Sequence, residues 1–123
     1  KLGKCCPGRA FCGGGQTFNI GIGQCLDLIS YFGAFSAATF VGAEQYNSVV
    51  DANAEFKNLK INELYMICGD ADSLVYGSFP GYVKAMESWD RVADFNSEVY
   101  KGGTHDFPVW YRGFKHFIPK LFK

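Results

Sequence analysis

The chain has no surplus of charge. Its 123 residues carry 12 Lys and Arg against 12 Asp and Glu. That balance removes the electrostatic argument for binding nucleic acid or an anionic membrane surface. No apolar run approaches the roughly 20 residues of a bilayer-spanning helix. There is no Asn-x-Ser/Thr sequon to argue for secretion, and the first residues are polar and cysteine-bearing, unlike a signal sequence. Localisation is therefore left open. Paired CxxC spacing is missing too. The five cysteines are Cys5, Cys6, Cys12, Cys25 and Cys68. Cys5, Cys6, Cys12 and Cys25 lack the spacing of a zinc site, so no metal is expected. An odd cysteine count in a core-rich chain also argues against a disulfide framework. Cys68 ends an apolar run and is expected to be a buried small hydrophobe.

What the chain does have is apolar and aromatic mass, 48% and 17% of its residues. That is enough for one compact domain over residues 1–123. No internal repeat or low-complexity linker interrupts it. Short apolar strands alternate with helix-like segments, which predicts an α/β layered fold. "LISYFGAFSA" reads as a buried strand ending near Ser36, and "INELYMICG" as the best strand, Leu64 to Cys68. "NSEVYKGG" is a short last strand. Helices are expected just after "GGG", in "AEQYNSVVDANAEFKN", and in "PGYVKAMESWDRVADF". The last of these carries Tyr82, Val83, Met86, Trp89 and Val92 at helical spacing. "THDFPVWYRGFKHFIPKLFK" reads as a loop and a terminal helix that Pro119 interrupts or ends. Its cationic, aromatic end fits packing on a sheet better than lying on a membrane. Phe79, Tyr82 and Trp89 are expected in the core. Three parallel strands alone make a poor domain, so the pattern looks like part of a larger sheet.

Reactive groups in an α/β sheet sit just past the carboxyl ends of strands. Asp72 follows "LYMICG" by a short loop, and His105 follows "SEVY" by "KGGTHDF". Neighbouring strands would bring both to one sheet edge. There Asp72 can accept the His105 Nδ1–H, which leaves Nε2 as a general base. Asp70 is the competing acid, and Asp72 is preferred. His116, in the terminal helix, is given no role. Gly13, Gly14 and Gly15 supply a sharp turn whose following amides could hold negative charge. A phosphate-cradling loop is excluded, because Gly14 and Gly15 stand where lysine and Ser/Thr are required.

"GGGQTFNIGIGQCLDLISYFGAFSAA" resembles the segment that follows the nucleophile in feruloyl esterases of the esterase-D-like family. Those read approximately Gly-Leu-Ser-Met-Gly-Gly-Gly-Gln, then an apolar "FNIGL". "ICGDADSLV" resembles their acid loop and "YKGGTHDFPVW" their histidine loop. The likeness runs from about Gly13 to the C-terminus. It implies the C-terminal part of an α/β-hydrolase fold, with Asp72 as triad acid, His105 as triad base and Trp110 near the site mouth. It further implies hydrolysis of feruloyl or acetyl esters on plant polysaccharide such as xylan, with no cofactor.

The chain departs from that pattern at the nucleophile. Phe11 occupies the serine position, Cys12 the methionine position, and Arg9 the first glycine of the elbow. Phenylalanine has no nucleophilic atom. Three readings compete. Cys12 could be the nucleophile after a one-residue slip. The protein could be a pseudoenzyme that binds aromatic acyl-sugars. Or the chain is truncated, with residues 1–12 a non-native leader. Codons for Gly8 to Cys12 can be written so that the next frame gives Ala-Gly-Leu-Ser, and this third reading is preferred. Unpaired sheet edges would then promote self-association. Ser36, the tempting spare serine, is read as structural.

Overall fold

A computed structural model of the protein describes residues 20–37 and 43–121. Three strands form one parallel sheet in the order β1 (Tyr31–Phe35), β2 (Glu63–Gly69), β3 (Phe95–Tyr100). Phe32 lies opposite Leu64, and Leu64 opposite Phe95. All three strands run the same way, so the loops that follow them gather at one edge. The helices are α1 (Ala43–Asp51), α2 (Phe79–Glu87) and α3 (Phe107–Phe117). Residues 20–23 are also helical. This is an α/β arrangement, as the alternation of segments predicts.

β2 is buried along its whole length. A strand covered on both faces needs apolar residues at consecutive positions, and "LYMIC" supplies them. Successive side chains point to opposite faces. Leu64, Met66 and Cys68 join a core with Tyr46 and Val50 of α1 and Phe79 and Met86 of α2. Tyr65 and Ile67 point the other way, to Val109 of α3, with Phe35 and Phe117 packed alongside. So α1 and α2 cover one face, and α3 covers the other. Gly113 lets α3 approach closely, since a Cβ there would lie 2.6 Å from Ile67 Cγ2.

The terminal segment behaves as its sequence indicates. Asp106 caps α3 by accepting from the Phe107 amide (2.7 Å), with Pro108 in the first turn. α3 gives way at Phe117 to a short 3-10 turn, Ile118–Lys120, which contains Pro119. Phe79 and Trp89 are buried in the core, as expected, and Tyr82 is half-buried at its edge. α2 is shorter than its apolar spacing predicts, and ends at Glu87. The Ser88 hydroxyl donates to the Lys84 and Ala85 carbonyls (3.1 and 3.3 Å), and the chain beyond turns into the sheet. There Ile61 donates to the Arg91 carbonyl (3.0 Å) and Ala93 to the Ile61 carbonyl (2.8 Å). Trp89 stays in the core, stacked on Tyr46 and donating its indole N–H to Asn47 Oδ1 (2.7 Å). Among the described residues no helix is long and apolar enough to cross a membrane.

Candidate active site

The loops after β2 and β3 meet at the carboxyl edge of the sheet. β2 ends at Gly69, which touches Gly103 of the loop after β3. A Cβ on Gly69 would collide with the Gly103 carbonyl. Glycine is therefore required on chemical grounds, because the two loop backbones approach too closely for any side chain.

Asp72 is fully buried, with a side-chain exposure of 0%. Its Oδ1 accepts from the Leu74 and Val75 amides (2.9 and 3.0 Å). Those bonds close the turn after β2 and fix the carboxylate plane. Its Oδ2 faces His105 Nδ1 at 2.7 Å. The Cys68 thiol also points at Oδ2 (3.7 Å). Burial pushes that thiol up to about 12, and the charge of Asp72 adds to the effect. Cys68 is thus a protonated donor at neutral pH. A carboxylate has about four acceptor positions; here the two amides and the His105 ring address three, and the single Cys68 S–H is shared between Oδ2 and the Gly69 carbonyl (3.5 Å).

His105 is largely enclosed, and its ring stands edge-on to Trp110 with centroids 5.4 Å apart. A carboxylate can only accept, so Nδ1 carries the proton in the 2.7 Å contact. The lone pair then sits on Nε2. A histidine oriented this way can take a proton from a nucleophile and hold the resulting positive charge against Asp72.

The structure thus brings together Asp72, His105 and Trp110. Asp70, the competing acid, turns to the loop backbone and accepts from the Gly102 amide (2.7 Å). Ser36 follows β1 with φ 52°, and its buried hydroxyl has no hydrogen-bond partner among the described residues. That hydroxyl therefore makes no nucleophile–base contact with His105. Cys12, Phe11 and Arg9 lie outside the described residues, as do the leader expected over residues 1–12 and the turn expected at Gly13, Gly14 and Gly15. His116 belongs to a separate group on the α3 face. Its Nδ1 lies 2.6 Å from Glu98 Oε1, which also accepts from the Tyr65 hydroxyl (2.8 Å), while Arg112 pairs with Glu98 Oε2. Burial would push the Glu98 carboxyl up, but hydrogen bonds from His116, Tyr65 and Arg112 hold it below its usual range.

An apolar cavity of about 590 Å³ runs beside β1, lined by Ile20, Cys25, Ile29 and Phe32 among others. It does not include the Asp72–His105 pair. Among the described residues no group of three His, Cys, Asp or Glu is placed to hold a metal ion. No protein-family model matches the chain.

Proposed function

We propose that the chain is the acid- and base-bearing part of a carboxylic ester hydrolase of the α/β-hydrolase class. Its substrates are feruloyl or acetyl esters of plant polysaccharide. The observation that carries this reading is the 2.7 Å contact between buried Asp72 Oδ2 and His105 Nδ1. The two residues follow adjacent parallel strands, in the order acid then histidine that the hydrolase fold uses. The placing of α1 and α2 on one face and α3 on the other supports the same class.

In this chemistry a nucleophile attacks the ester carbonyl as His105 Nε2 takes its proton. Asp72 stabilises the imidazolium. The imidazolium then protonates the departing alcohol, and water releases the acid by the same route in reverse. Phe11 offers no nucleophilic atom, so the chain itself turns over little or no ester. Methyl ferulate hydrolysis tests the reading. The unsubstituted chain is expected near background. Phe11→Ser gains hydrolysis, and adding His105→Ala then lowers it by about 100-fold or more. Hydrolysis that survives His105→Ala overturns the assignment. Activity of the unsubstituted chain that disappears on Cys12→Ala identifies Cys12 as nucleophile.

Phe11 also favours a second reading, a non-catalytic protein. Ferulate binding without hydrolysis supports a pseudoenzyme for aromatic acyl-sugars. Concentration-dependent oligomers without ferulate binding support a self-associating fragment.

A further inference from the structure

We infer that Asp70 is a positioning residue that clamps the histidine loop to the acid loop and so fixes the His105 ring on Asp72. The inference rests on the Asp72–His105 reading above.

The segment from Lys101 to His105 is "KGGTH", a poor sequence for holding a side chain still. Two adjacent glycines leave the backbone many conformations, and fixing each has an entropic cost. Gly102 adopts φ 76°, a region that its missing side chain permits. Yet His105 Nδ1 meets Asp72 Oδ2 at 2.7 Å. Something must restrain the loop.

Backbone bonds supply part of the restraint. Ala71 donates to the Gly103 carbonyl (2.8 Å), Asp70 to the Tyr100 carbonyl (3.2 Å), and Gly103 to the Tyr100 carbonyl (3.0 Å). Such bonds are indifferent to side-chain identity. Asp70 adds a bond that is not. Its Oδ1 accepts from the Gly102 amide at 2.7 Å, at the most permissive residue of the loop. A carboxylate acceptor makes this stronger than a neutral bond. Asp70 thus grips the histidine loop from the acid loop, two residues before Asp72. The two aspartates of "GDAD" divide the work. One holds the loop, and the other holds the ring.

The test uses the full chain and NMR. It follows hydrogen exchange at the Gly102 amide and the downfield proton on His105 Nδ1. Asp70→Ala is expected to speed Gly102 exchange about tenfold and to broaden or erase the Nδ1 proton signal. Asp70→Asn keeps an acceptor oxygen and retains both. Asp72→Asn loses the Nδ1 proton signal but leaves Gly102 protected. An Asp70→Ala protein with unchanged Gly102 exchange and an intact Nδ1 proton overturns the inference. So does Asp70→Asn if it behaves like Asp72→Asn, which would make Asp70 the acid partner itself. Absence of the Nδ1 proton signal from the unsubstituted chain overturns the Asp72–His105 reading. In that case Gly102 exchange in Asp70→Ala still reports the clamp by itself.

Discussion

Asp72 is held by more donors than its sequence context announces. The Leu74 and Val75 amides, the His105 ring and the Cys68 thiol all address one carboxylate. Removing it leaves several buried donors without an acceptor. Asp72→Ala is expected to lower stability by about 2–3 kcal/mol, read from the urea midpoint. Cys68 gives a second check. Its thiol is buried and pushed up to about 12, so little thiolate forms near neutrality. Brief iodoacetamide treatment of the folded protein should leave Cys68 unmodified while the more accessible Cys25 reacts, as read by peptide mass mapping. Alkylation of Cys68 at the rate of Cys25 would contradict that environment. At this scale the sequence revealed Asp72 and His105, because each follows a recognisable strand by a short loop. The partnership of Cys68 with Asp72 and of Asp70 with Gly102 was hidden. Both depend on how two loops fold back, which strand periodicity does not encode.

Among the elements, β2 was the most readable and α2 the least. An unbroken apolar run specifies a strand covered on both faces. Helical spacing through Trp89 and Val92, by contrast, was imitated by a turn and a strand-like bridge. Arg91 shows why. Its Nη1 donates to the carbonyls of Phe56, Lys57 and Leu59 (3.2, 3.0 and 2.8 Å), which ties the irregular segment after α1 to the chain entering β3. An arginine in a polar stretch gives no sign of such a task. Arg91→Met is expected to cost about 3 kcal/mol of unfolding free energy, because three carbonyls lose their donor. Glu63, at the start of β2, predicts a pH dependence. Burial and neighbouring Asp94 raise its carboxyl from 4.5 to about 7, against opposing contributions from Asn96 and Lys120. The folded state therefore keeps a proton that the unfolded chain has already released. Stability should fall as pH rises from about 4.5 to about 7, then level off. In Glu63→Gln that part of the slope disappears, and urea midpoints measured across this range decide it.

On the scale of the whole molecule, two cores share one central strand. The larger lies between β2 and helices α1 and α2, the smaller between β2 and α3. Opening either layer exposes β2, so its amides should open only with global unfolding. Hydrogen exchange is expected to be slowest at Met66 and Ile67 and faster in the loop after β3. The layering also explains why the site lies where it does. A parallel sheet sends every strand's carboxyl end to one edge, so Asp72 after β2 and His105 after β3 become neighbours without being close in sequence. The glycine contact between Gly69 and Gly103 then brings their loops together.

Asp72, facing His105 Nδ1 at 2.7 Å, fixes the tautomer of the ring. Long-range proton–nitrogen NMR of the imidazole ring measures it directly at a pH where the ring is neutral. The expected result is a proton on Nδ1 and none on Nε2, with that preference lost in Asp72→Asn. A ring protonated mainly on Nε2, or one unchanged by Asp72→Asn, would contradict it.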